Sequence, residues 1–129
     1  MMYRAFVIDD NESNIEALEQ LLLMEGFQVY TASSAHDISS KLAGIEPIDI
    51  AFLDLEFPNH SGLDLISELK KHEYLRNAIF VAYSVHISEL NEAMMAGFQG
   101  FIGKPLDVDS FPSQIQRIMR GEQVWETNQ

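Results

Sequence analysis

Short apolar runs rich in β-branched and aromatic residues recur along the chain at residues 5–8, 29–31, 48–53, 78–83 and 101–102. Each has the length of a strand and is too short for a helix. Between them the apolar positions change to helical spacing. Ser13 followed by Glu16 reads as a capping box that opens a helix carrying Ile15, Leu18 and Leu22 on one face and stopping at Gly26. A second helix runs from Ser34 through Ile38 and Leu42 to Gly44. A third starts at Ser61, buries Leu65, Ile66 and Leu69, and closes on Lys70, Lys71 and His72, cations that suit a helix C-terminus. A fourth spans Ser88 to Gly97, with Met94 and Met95 reading as helix packing. A fifth opens near Asp109 and carries Phe111, Ile115, Ile118 and Met119 before Gly121. Five strands and five helices alternate strictly, with residues 124–129 as a short tail behind one domain at 1–123. Such alternation predicts an α/β fold, a parallel sheet covered on both faces by right-handed crossovers.

Composition narrows the picture. A chain of 129 residues with 47% apolar and 22% charged residues is ordinary for one globular domain with a real core. It contains no cysteine, which excludes disulfides and thiolate-bound zinc. No apolar run approaches a membrane span and no signal peptide precedes residue 5, so a cytoplasmic protein is expected. Twenty acidic residues against eight basic ones give a net charge of −12, which repels nucleic acid and anionic membranes and argues against direct DNA binding by this chain.

In open α/β sheets ligands bind beyond the carboxyl ends of the strands, where strand order reverses. Here the first strand ends in Asp9-Asp10, the third in Asp54 and the fourth in Ser84, and the fifth is followed by Lys104-Pro105. Three carboxylates at one edge repel each other and call for a cation. An all-oxygen set suits a hard ion, Mg²⁺ above others. Lys104 offers a point charge and Ser84 a hydroxyl, both suited to phosphoryl oxygens. Three aspartates, one Mg²⁺ and Lys104 sum to formal neutrality, so a phosphoryl group can approach, and an aspartate is a competent acceptor for it. Each residue alone has a bland reading: Asp-Asp as a helix cap and turn, Lys104 as a surface cation, Ser84 as nothing in particular. Their meeting at one predicted edge favours the chemical reading. The histidines, 36, 60, 72 and 86, are scattered and read as surface residues.

Over its whole length the chain resembles the receiver (CheY-like) family of response regulators. The resemblance rests on Val7-Ile8-Asp9-Asp10-Asn11, on Asp54-Leu55-Glu56-Phe57-Pro58 with Ser61-Gly62-Leu63-Asp64, and on Ala96-Gly97-Phe98 before Phe101-Ile102-Gly103-Lys104-Pro105. It implies a flavodoxin-like, doubly wound sheet of five strands in the order 2-1-3-4-5. It also implies Asp54 as phosphoacceptor, with Asp10 on Mg²⁺ directly, Asp9 mainly through metal-bound water, and the backbone carbonyl of Glu56 completing the protein ligands. Lys104 and Ser84 would bind phosphoryl oxygens, a cis peptide would precede Pro105, and Phe101 would stand at the aromatic switch position. The expected role is phosphorelay signalling rather than turnover of a substrate, although such a domain assists its own phosphorylation and dephosphorylation. The expected partners are a sensor histidine kinase or phosphotransfer protein and a downstream protein or fused output domain.

Two rival functions share parts of this pattern. A Mg²⁺-dependent phosphohydrolase with an aspartyl-phosphate intermediate needs an acid/base group two residues after its nucleophile, where Glu56 stands, but also a cap for its substrate, for which 129 residues leave no room. A flavodoxin-type cofactor binder needs a loop after the first strand that holds phosphate, and Asp9-Asp10-Asn11-Glu12 would repel one. The departures from the family pattern are individual. Glu56 adds negative charge beside the metal, Val85 is bulkier than the usual small residue, and Phe101 lacks the hydroxyl of tyrosine. Phe98 and Gly100 flank Phe101 and leave its ring room to move.

Overall fold

β-branched and aromatic runs settle into a pleated sheet when both of its faces can be covered. In the computed structural model, which describes residues 2–42, 47–55, 62–85 and 87–126, this is what the five apolar runs do. The chain forms β1 (Arg4–Ile8), α1 (Glu12–Met24), β2 (Gln28–Ala32), α2 (Ala35–Leu42), β3 (Ile50–Asp54), α3 (Gly62–Leu69) and β4 (Ile79–Ser84). A 3-10 turn at Ile87–Glu89 leads into α4 (Leu90–Ala96), followed by β5 (Gly100–Gly103), α5 (Phe111–Met119) and β6 (Val124–Glu126). All strand pairs are parallel, in the order β2-β1-β3-β4-β5-β6.

Strand alternation divides the core into two layers. Ala5, Val7, Ile50, Phe52, Val81, Tyr83 and Ile102 face α1 and α5, where Leu18, Leu22, Phe111, Ile115 and Ile118 cover them. Phe6, Ile8, Ala51, Leu53, Phe80, Ala82 and Phe101 face the other way, against Ile38, Leu65, Ile66, Leu69 and Ala93. The positions predicted to be buried on α1, α3 and α5 are buried, apart from Met119, which is only partly so.

The sheet has six strands where the alternation predicts five, because residues 124–126 are not a tail. Val124 is buried beside Ile102, and Trp125 packs half-buried in the Phe101 layer. Glu126 is gripped from α5: Gln114 Nε2 donates to it at 2.8 Å, and Arg117 Nη2 reaches both carboxylate oxygens at 3.1 and 2.9 Å. The approach is close enough that a Cβ on Gly100 would lie 3.1 Å from the Val124 carbonyl oxygen. The missing side chain of Gly100 therefore accommodates β6, not motion of the Phe101 ring.

Three local expectations also change. The N-cap of α1 is Asn11, whose side chain accepts from the Asn14 N–H, so Ser13 lies inside the first turn and the Ser13–Glu16 box does not open the helix. Met94 and Met95 are exposed, because Ala93 makes the core contact of the short α4. His72 is half-buried and its Nδ1 accepts the Tyr74 N–H at 3.2 Å. Ser61, Gly44, His60 and His86 lie outside the described residues.

Because β6 covers the β5 edge, a chain ending at Gln123 is expected to be less stable by about 2–4 kcal/mol, the worth of burying one valine and part of a tryptophan. Urea unfolding measures this directly. A loss below about 0.5 kcal/mol, the scatter of neutral surface changes, would show that β6 adds nothing to the fold.

Candidate functional site

Side chains two residues apart along a strand share a face, and that parity builds the site. Asp9 follows Val7, Asp54 follows Phe52, and Lys104 follows Ile102, each two residues beyond a side chain that faces α1 and α5; Tyr83 is itself one of these. Four adjacent strands thus deliver Asp9, Asp54, Tyr83 and Lys104 to one side of the carboxyl edge. The place is the switch point of the sheet, since the chain leaves β1 outward to β2 and returns on its other side as β3.

The Lys104 ammonium sits between two carboxylates, 3.1 Å from Asp54 Oδ1 and 3.4 Å from Asp9 Oδ2. Asp9 and Asp54 are buried, whereas Asp10 is exposed at the rim. Each of the three offers a carboxylate oxygen, and these oxygens lie within 4.8 Å of one another. Asp9 Oδ1 also accepts the Asn11 N–H at 2.9 Å, so the cap of α1 orients the carboxylate in front of it. Three converging hard oxygen donors of which two are shielded from water fit a divalent cation such as Mg²⁺.

Burial pushes the Asp9 carboxyl up to about 6, and the charge of Asp54 pushes the same way, against the opposing pull of the Asn11 N–H and Lys104. Tyr83 is shifted upward as well, first by burial and then by the charges of Asp9 and Asp54, so its hydroxyl stays un-ionised. The Tyr83 ring lies under the Lys104 ammonium, 4.3 Å from centroid to Nζ.

Of the residues singled out by sequence, Asp9, Asp10, Asp54 and Lys104 come together. Ser84 ends the strand next to Asp54, fully buried, and its carbonyl accepts the Lys104 N–H at 2.9 Å. The Lys104–Pro105 peptide is cis. Phe101 is fully buried between Ala82 and Trp125 in register, so its ring already lies inside the protein. Glu56 falls outside the described residues. Sequence reasoning passed over Tyr83 as a strand residue. The available signal was parity: two residues past Val81, it had to face the side that Lys104 faces.

A family model, the response regulator receiver domain, matches residues 5–116. The chain belongs to this family, whose work is phosphorelay signalling through phosphorylation of an aspartate. It is 29% identical over 119 residues to the transcriptional regulatory protein KdpE of Mycobacterium tuberculosis, covering 92% of this chain and 52% of that protein. It is 23% identical over 117 residues to the regulatory protein AtoC of Escherichia coli, covering 91% of this chain and 25% of that one. The chain therefore spans between a quarter and about half of such relatives. Among solved structures, a CheY-like receiver domain from Methylobacillus flagellatus superposes with a TM-score of 0.79 at 29% identity, over 92% of this chain and 99% of that one. A response regulator from Burkholderia pseudomallei, solved with a phosphorylated aspartic acid, a calcium ion and citrate, gives 0.70 at 28% identity over 90% and 72%. These relatives favour the receiver over the phosphohydrolase.

The raised Asp9 value carries a pH signature in metal-free protein. Between the ordinary 3.8 and about 6 the folded state holds a proton that the unfolded state releases. Stability therefore falls as pH rises through that window and levels off above it. Asp9→Asn should abolish this fall and stabilise the protein at pH 7 by as much as about 3 kcal/mol. Urea midpoints from pH 4 to 7 check it; parallel curves for the two proteins would contradict it.

Proposed function

We propose that Asp54 is the phosphoacceptor and that the chain works as a Mg²⁺-dependent receiver. The observation that carries this reading is the Lys104 ammonium 3.1 Å from Asp54 within an edge that also holds Asp9 and Asp10. In the transfer, an Asp54 oxygen forms a bond to phosphorus as the P–N bond of a phosphohistidine, or the P–O bond of a small acyl phosphate, breaks on the opposite side. The leaving group takes the bonding pair. Little covalent work falls to the protein beyond alignment and charge.

Each side chain has a part in that alignment. Lys104, already at Asp54, reaches the oxygens of any group bonded there. Ser84, buried at the neighbouring strand end, brings a hydroxyl to another of those oxygens. Asp10 and Asp54 would hold the cation, with Asp9 acting mainly through its water; the Glu56 carbonyl, which the family resemblance would add as a further ligand, lies outside the described residues. Bound there, Mg²⁺ supplies charge neutralisation for the phosphoryl oxygens. The calcium ion and phosphorylated aspartic acid of the Burkholderia pseudomallei relative support both assignments. A sensor histidine kinase or phosphotransfer protein would donate the group, and a downstream protein or fused output domain would read the result. With a net charge of −12, this chain itself would not bind nucleic acid.

The output is proposed to run through Phe101 toward the face formed by α4, β5 and α5. Phe101 touches the layer of Ala82 and Ala93 on one side of β5 and stands beside Trp125 in register. A shift of Ser84 toward a phosphoryl group disturbs the packing around it, and two states a few kcal/mol apart suffice for a switch.

With acetyl phosphate, a label should appear only with Mg²⁺, be released by hydroxylamine, and vanish in Asp54→Asn. Asp10→Ala should lose more Mg²⁺ affinity than Asp9→Ala in a direct titration. A label that survives Asp54→Asn, or maps to Ser84, refutes the acceptor assignment. For the switch, Trp125 is the only tryptophan and therefore a private reporter. Its fluorescence should change on phosphorylation, and Phe101→Ala should remove the change; an unaltered spectrum in fully labelled protein rules Phe101 out as the relay.

A further inference from the structure

Tyr83 is the one large aromatic side chain at the carboxyl edge among the described residues that contacts a charged member of the site, and the proposed function gives it no task. The residue as a whole is 3% exposed, and its backbone pairs directly with Asp54. Lys104 has only a tenth of its side chain exposed, so the ammonium is largely out of water and depends on the protein for its partners. Among the described residues three groups surround it: Asp9 Oδ2, Asp54 Oδ1 and the face of the Tyr83 ring.

The three partners differ in what happens to them during the reaction. In the proposed reaction both carboxylates take on other work, Asp54 with phosphorus and the cation, Asp9 with the cation mainly through its water. To the extent that they turn to that work, Lys104 would lose the ion pairs that aim it. The ring carries no net charge, so it neither competes for the cation nor cancels the positive charge that a phosphoryl oxygen needs. Beyond the ring opens a cleft of about 380 Å³ between α1 and residues 104–108, lined by Asn14, Leu21, Tyr83, Lys104, Pro105 and Val108. A smaller side chain at position 83 would widen that cleft and let the lysine swing into it.

We propose that Tyr83 is a positioning residue for phosphoryl transfer: its ring is the floor that keeps the Lys104 ammonium aimed at Asp54 once the carboxylates are engaged. The inference rests on the phosphoacceptor reading and deepens it. The ring acts, not the hydroxyl, which burial and the neighbouring carboxylates keep un-ionised.

The test combines a spectroscopic signature with a mutant cycle. In wild-type, metal-free protein the Lys104 ε-methylene protons should be shifted upfield by the ring, as read by NMR. Tyr83→Phe should keep that shift and label with acetyl phosphate at the wild-type rate. Tyr83→Leu should lose the shift and label about tenfold more slowly, equivalent to about 1.4 kcal/mol, within the range of a desolvated cation–π contact. In a Lys104→Ala background the same Tyr83→Leu change should cost nothing more, because its effect passes through the lysine. An equal loss in that background, a slow Tyr83→Phe, or an undiminished rate in Tyr83→Leu overturns the proposal. Should Tyr83→Leu fail to fold, absence of the upfield shift in wild type or in Tyr83→Phe overturns it alone. If wild-type Asp54 takes no label, the acceptor reading falls, and the wild-type shift still decides whether Tyr83 holds Lys104.

Discussion

Repulsion among carboxylates crowded at a poorly hydrated sheet edge is the constraint on which this structure turns. Asp9 and Asp54 are buried, Asp10 joins them at the rim, and a single ammonium lies between the inner two. Taking such charges out of water costs more than one lysine returns, and the upward shift of Asp9 records the deficit. A divalent cation held by these carboxylates would relieve the repulsion and bring the edge, with Lys104, to formal neutrality, the condition under which an anionic phosphoryl group could approach. A site left comfortable in its resting state would have little reason to accept either.

The sheet bears the cost of this crowding. Parallel strands with both faces covered place rigid, alternating side chains, so parity alone sends Asp9, Asp54, Tyr83 and Lys104 to the same side. Beneath them two continuous apolar layers hold the strand ends in register, with Phe6, Phe52, Phe80, Phe101 and Phe111 fully buried. The Asn11 cap joins helix to site, since its own N–H orients Asp9 while its side chain closes the first turn of α1. Positioning of this kind on strands and caps is what in-line transfer requires.

β6 gives the far edge a character of its own. It pairs with β5, anchors Glu126 to Arg117 and Gln114, and sets Trp125 beside Phe101. At that edge a partner would meet this strand and not the bare edge of β5, and Met94 and Met95 are exposed on α4. The aromatic pair Phe101 and Trp125 therefore links the buried layer to the surface on the side where a signal is expected to leave.

The five principal strands, their alternation with helices and the acidic edge were legible in the sequence because each is local. Period-two and period-3.6 patterns reveal elements, chain order restricts the crossovers, and strand ends locate Asp9, Asp54, Ser84 and Lys104 without any coordinates. Three residues of β6 are too few to show a period, and its formation depends on Gly100 and Arg117, well apart from it in the chain. The α1 cap turned on the backbone of Asn11 as it leaves β1, which no Ser-x-x-Glu pattern reports. The Asp9 carboxyl is raised first by burial and then by Asp54, 45 positions along the chain, and the ring beneath Lys104 comes from 21 positions before it. By itself, then, the sequence determined which residues stand at the edge and which fold carries them there, because both follow from spacing along the chain. Only the tertiary structure decided how far each charge is stripped of water and what touches it, because desolvation and contact belong to the neighbours that packing brings.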